Sequence, residues 1–123
     1  MAVTYVAAVK TARMNAVLTE IGDGAKIVIG TSGLGTTLVT LTCPTPSGTV
    51  SGDTLTLDMD PVLSDTAVAD GTAAEAKITT SGDVDKITGL TVGTSAADII
   101  LDSVSITNGQ TVTLASGTIQ HAT

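Results

Sequence analysis

D-I-I-L-D-S-V-S-I-T-N-G-Q-T-V-T-L-A-S-G-T-I-Q-H, residues 98–121, decides the fold class. Apolar residues recur at every second position on both sides of Asn108-Gly109, the short-range signature of a β-hairpin. A two-residue loop would pair Ile106 with Thr111 and Ser105 with Val112, sending the two apolar sets to opposite faces. A three-residue loop, Thr107 to Gly109, with Gly109 as the left-handed residue of a bulge, pairs Val104 with Val112 and places Val104, Ile106, Val112 and Leu114 on one face. The second register is the one expected. The apolar parity also changes at Leu101/Val104 and again at Leu114/Ile119, which predicts bulges near Asp102-Ser103 and Ser116-Gly117.

Working outward, the same period of two recurs in Ala25-Ile27-Ile29, Val39-Leu41-Cys43, Leu55-Leu57-Met59, Ala74-Ala76-Ile78 and the broken stretch Ile87–Val92. Gly-, Ser- and Pro-rich stretches separate them, with Pro44–Gly48 and Val62–Gly71 as the clearest loops. Only Tyr5–Ile21 has a different period. Met14, Val17, Leu18 and Ile21 follow helical spacing, four alanines favour helix, and Gly22 or Gly24 ends it. The chain therefore reads as mainly β, an antiparallel β-sandwich or jelly-roll-like barrel with one N-terminal α-helix. Residues 1–24 form a helical segment packed on the sheet or on a neighbouring subunit, and 25–123 form the sheet of what is one domain overall. If the helix is an arm laid on a neighbour, Tyr5, Val6, Val9, Arg13 and Met14 are its interface candidates.

The 123 residues include no Trp or Phe and a single Tyr, so the core must be filled by small and β-branched side chains. Such residues bury little area each, which favours completing burial against copies of the chain or a partner. Twelve acidic residues against five basic ones give a net charge of −7 with no basic stripe. Phosphate neutralisation needs Lys and Arg, so nucleic acid is not an expected partner. The first 21 residues lack a continuous apolar run of signal-peptide type, and no run is long enough to span a membrane. The expectation is a protein made in the cytoplasm, with no membrane partner.

Candidate chemistry is sparse, and no catalytic or cofactor-binding residue is expected. Gly30-Thr31-Ser32-Gly33-Leu34-Gly35 resembles a phosphate loop but lacks the lysine and leads into a strand. Asp83-Val84-Asp85 and Asp58-Met59-Asp60 space carboxylates two apart, as Ca²⁺ loops do, without the remaining oxygen ligands. Asp83 and Asp85 are the nearest approach to a metal site and read better as a solvated turn. Cys43 has no partner for an internal disulfide and reads as a small buried hydrophobe. His121, the only histidine, lies near the terminus, a poor place for a general base.

The order of A-R-M-N-A-V-L-T-E-I at 12–21, A-K-I-V-I-G-T at 25–31, T-T-L-V-T-L-T-C-P at 36–44, S-G-D-T-L-T-L-D at 51–58, A-V-A-D-G-T-A-A-E-A-K-I at 67–78 and T-N-G-Q-T-V-T-L-A-S-G-T-I at 107–119 resembles a family of small virion proteins of tailed bacteriophages. The resemblance implies a β-sandwich capsid cement or decoration protein, a homotrimer that binds between major capsid subunits on the virion surface after assembly in the host cytoplasm. The alternative is a tail- or baseplate-associated module for host or carbohydrate recognition. Sugar platforms use exposed aromatic rings, and one tyrosine in a helix does not supply them.

If Met14, Val17, Leu18 and Ile21 form the buried stripe, Leu18→Asp costs several kcal/mol, because it places a charge at an apolar contact. Thr19→Asp, one residue along, costs far less. Urea unfolding of both variants checks this, and equal losses would mean that the stripe is misassigned.

Overall fold

The last strand, β11 (Thr111–Gln120), runs the length of the sheet and divides its ten residues among three antiparallel partners. Thr111–Thr113 pair with β5 (Ser64–Thr66), Leu114–Gly117 with β9 (Ile99–Leu101), and Thr118–Gln120 with β4 (Thr54–Leu57). These elements belong to a computed structural model that describes residues 5–43, 47–52, 54–57 and 63–120.

The remaining elements, in chain order, are α1 (Ala7–Ile21), β1 (Lys26–Gly30), β2 (Thr37–Thr42), β3 (Gly48–Ser51), β6 (Gly71–Thr72), β7 (Glu75–Thr79), β8 (Asp85–Gly93) and β10 (Ser105–Ile106). The main sheet has the order β2-β1-β7-β8-β9-β11-β4-β3, with β5 beside β11 and a separate small ribbon of β10 and β6. Every pairing is antiparallel except β8 with β9, which touch in parallel through Val92↔Ile99 and Gly93↔Ile100. Parallel neighbours ordinarily need a long crossover. Here a short loop suffices because Asp98 pins it: its Oδ2 accepts the Thr91 N–H at 3.1 Å and the Thr91 hydroxyl at 3.2 Å, while its own N–H donates to Thr91 Oγ1 at 3.0 Å. The sheet curls, so that β5 comes alongside β2, and the Val68 N–H donates to the Leu38 carbonyl at 2.8 Å.

A turn forms at Asn108-Gly109 with Gly109 at φ +89°, as expected, but Gln110 N–H donates to Thr107 O at 2.9 Å, so Asn108-Gly109 is the central pair of a two-residue turn and not part of the expected three-residue loop. Its flanks do not form the expected hairpin. β10 pairs with β6, β5 takes the place opposite Thr111–Thr113, and Val104 does not pair with Val112. The in-stretch partner of β11 is β9, and the register shift falls between Leu114 and Ser116, next to the expected bulge. At the other expected bulge the strand simply ends, and the Val104 carbonyl accepts the Ala73 N–H. The apolar pattern was nevertheless obeyed: Ile106, Val112 and Leu114 are buried and Val104 packs against them. Alternation specifies which face is buried, whereas the partner depends on segments far away in sequence.

Two further segments correct the sequence reading. Gly48 opens β3 instead of closing a loop, and the described part of Val62–Gly71 contains β5 and the first residue of β6. Ser64, Asp65 and Thr66 are all exposed, so β5 carries no alternation to read.

The helix begins at Ala7, two residues later than expected, and ends where Gly22 donates its N–H to Leu18 O at 3.1 Å. Met14 and Ile21 are fully buried, with Val17 and Leu18 packed beside them. The helix runs along edge strand β3: Thr11 Oγ1 donates to Gly52 O at 2.6 Å near one end, and Ser47 holds the other. Ser47, itself fully buried, accepts the Ala25 N–H at 3.1 Å and donates to the Gly22 carbonyl at 2.6 Å. The largest buried side chains are Ile and Leu, drawn from α1, β1, β2, β4, β7, β9 and β11 into one cluster.

Ser47→Ala strands a buried donor and acceptor at once and is expected to cost about 1–3 kcal/mol in urea unfolding. Ser95→Ala, in an exposed loop, should stay within about 0.5 kcal/mol.

Candidate functional site

The outer face of α1 follows from its inner one. With Met14 and Ile21 turned into the core, the first turn presents Val9 to solvent, preceded by Tyr5 and Val6 at the helix mouth; these are 40%, 39% and 68% exposed. Arg13 lies one turn further on, its guanidinium carbon 4.7 Å from the centroid of the Tyr5 ring, close enough for a cation–π contact. Of the five interface candidates, Tyr5, Val6, Val9 and Arg13 thus share one exposed corner. Met14 does not join them, because its side chain is 2% exposed and belongs to the core.

This corner is positive as well as apolar. The helix start has no acidic residue in its first turn and no side-chain cap, so the partial positive charge of the dipole is unopposed. Lys10 and Arg13 add full charges, and Lys10 has no ion-pair partner among the described residues. The other three lysines are matched: Lys26 with Asp83 at 2.9 Å, Lys77 with Asp85 at 2.9 Å, and Lys86 with Glu20 at 3.0 Å. Asp23, Asp65, Glu75 and Asp102 stand outside these pairs, so the surface beyond the helix start is acidic.

The same pairs decide the reading of Asp83 and Asp85. Each carboxylate faces a lysine ammonium on a different strand, and among the described residues no group of three or more His, Cys, Asp or Glu converges. Asp58, Asp60 and His121 lie outside the described residues. Gly30–Gly35 forms the β1–β2 connection, with a 3-10 turn at Ser32–Leu34 and the Thr31 N–H donating to Thr36 O at 3.0 Å. Among the described residues the chain continues from this connection into β2 and not into an α-helix. Cys43 is buried at the end of β2, as its alternating position implied.

Two features escaped the sequence reading. A groove of about 270 Å³ lies between the second half of α1 and the start of β8, walled by Ala16, Val17, Ile21 and Ile87 and bridged by the Glu20–Lys86 pair. It arises from tertiary placement, so no local pattern marks it. Val68, 67% exposed, sits in the segment read as an acidic loop. Its β-branched side chain between two alanines, in the segment bounded by Asp65 and Asp70, was the available signal.

No family model, no curated protein and no solved structure matches this chain. No helix among the described residues is long and apolar enough to cross a membrane.

Because Asp83 and Asp85 serve lysines on an exposed surface, Asp83→Asn and Asp85→Asn should each change stability by less than about 1 kcal/mol. Calcium should leave the melting temperature of the unmodified protein unchanged, whereas a bound ion at a hundredfold excess over its Kd would add about 2.7 kcal/mol. Differential scanning calorimetry reads both.

Proposed function

We propose that this chain is a non-enzymatic structural protein of a tailed-bacteriophage virion. In this reading it is a capsid cement or decoration protein whose curled sheet is folded as a sandwich or jelly-roll-like barrel. It acts as a homotrimer on the capsid surface, bound between major capsid subunits, and stabilises the mature shell. The observation that carries the reading is the exposed corner of Tyr5, Val6, Val9 and Arg13 on a chain whose own core is filled by nothing larger than Leu, Ile and Met. Exposed apolar side chains gathered at one end of a helix are what an attachment surface needs. The sequence resemblance to small phage virion proteins supports the same role.

The edge of β8 supplies a second kind of contact. Asp85–Leu90 adjoin β7 on one side and, among the described residues, no strand on the other, because β9 reaches only Val92 and Gly93 and the Thr91 N–H is taken by Asp98. An open edge offers main-chain hydrogen bonds to a partner's strand, and the adjoining apolar groove accepts its side chains. A cement protein adds such contacts where shell subunits meet. If the sites improve when the shell expands, binding selects the expanded lattice through its differential affinity for the two states.

Charged residues make up only 14% of the chain, so attachment rests on apolar and main-chain contacts. Raising salt from about 0.1 to 0.5 M should release little of it, since screening weakens mainly exposed charge pairs. Washing purified particles at rising salt and temperature, then comparing genome retention with and without this protein, tests the reading. Sedimentation with shells and better retention are expected; copurification with isolated tails alone would replace it with the tail-module alternative.

A further inference from the structure

We infer that copies of this chain associate head to tail, the positive apolar corner at the start of α1 seating on an acidic apolar patch formed by Asp65 and Val68 of the next copy. The inference deepens the reading of a self-associating virion protein by naming the two surfaces that meet. It commits to a second copy because both halves of a complementary pair are present on one chain.

One half is Val6, Val9, Lys10 and Arg13, apolar and cationic in a protein whose net charge is −7. The other is β5 and the residues after it. Ser64, Asp65 and Thr66 are exposed at every position, and Val68 follows with 67% of its surface free. Asp65 turns one carboxylate oxygen to its neighbour's amide, accepting the Thr66 N–H at 2.7 Å, and has no cation beside it among the described residues. An exposed valine three residues along the chain from an unmatched aspartate is the converse of exposed valines beside an unmatched lysine.

The two patches cannot meet within one molecule. β5 pairs with Thr111–Thr113 at the start of β11, whereas the helix passes Gly52, which adjoins β4 where that strand pairs with Gln120 at the other end. At about 3.3 Å per residue, Val112 and Gln120 lie up to roughly 26 Å apart along β11. The helix start lies further out still, since Thr11 is the residue that touches Gly52 and Val6 precedes it. The patches therefore occupy opposite ends of the molecule.

That placement determines the assembly. Different surfaces meeting between identical chains form a heterologous contact, which gives a ring where its rotation closes and an open filament where it does not; the homotrimer of the proposed function is the ring of three. The valines supply the contact area, and the charges choose the orientation, because a corner-to-corner contact would place Arg13 and Lys10 against their own copies.

Disulfide trapping tests the geometry directly, since Cys43 is buried and does not interfere. Val9→Cys and Val68→Cys proteins are oxidised separately and as a mixture, with mass followed by light scattering. A covalent dimer in the mixture alone, with unmodified protein at three or more chains, is the expected result. A monomer at all concentrations, or a dimer from Val9→Cys alone, overturns the inference. In a second arm, Arg13→Glu should weaken association about tenfold or more by opposing like charges, and adding Asp65→Arg should restore it. Failure of both variants to associate while both remain folded also overturns it. Because this is read on the isolated protein, a monomer that still sediments with shells would leave the proposed function standing without this interface.

Discussion

The Ser47 hydroxyl is the buried polar group that ties the end of the helix to the start of the sheet. It accepts from the Ala25 N–H and donates to the Gly22 carbonyl, so it closes both ends of the short turn through which the chain passes from α1 into β1. The Ala25 carbonyl is taken by the Cys43 N–H at 2.7 Å, which leaves Ala25 fully paired at a completely buried position. Buried main-chain groups must find such partners, and here a side chain from the start of β3 supplies one that no strand could. The direction of α1 along β3 follows, since the helix is held at Ser47 near its end and at Gly52 near its beginning.

With the helix held there, the sheet is organised around β11. A strand that pairs in turn with β5, β9 and β4 joins segments from across the chain, which a core without aromatic rings needs. Close approach substitutes for bulk. At Gly117 a Cβ atom would sit 2.7 Å from Leu57 Cδ1 and 3.4 Å from its Cβ and Cγ, so any larger residue would have to displace the buried Leu57 side chain. Small residues thus give close contacts inside, while the same shortage of bulk leaves Val6, Val9 and Val68 as the conspicuous apolar surface.

Period and punctuation were legible. The helical stripe from Met14 to Ile21, the alternation of Ile27 and Ile29, and the buried set Ile106, Val112 and Leu114 are all where their spacing placed them. Strands without alternation were not. β5 is exposed throughout, and β3 begins at a glycine in what looked like a loop. Pairing was illegible for a different reason: Asn108-Gly109 makes its turn whether or not the flanks pair, and β5 and β6 reach those flanks from some forty residues away. The candidate surface was half visible. Tyr5, Val6, Val9 and Arg13 are exposed together, whereas Met14, counted with them as an interface candidate, faces inward as its place in the Met14–Ile21 stripe already indicated. Its acidic counterpart at Asp65 and Val68 depends on a strand the pattern did not mark.

Held at Ser47 and Gly52, α1 should unfold with the curled sheet as one unit, leaving the helix start as an exposed apolar, positive corner. Local opening free energies report this residue by residue. Native-state amide hydrogen exchange is the most direct measurement. The account predicts that Ala25 and Leu18 exchange only through the same global opening as Ile27 and Leu114. Exchange of Leu18 and Ala25 at a much lower free energy than the sheet would show a helix merely resting on β3, and would contradict it.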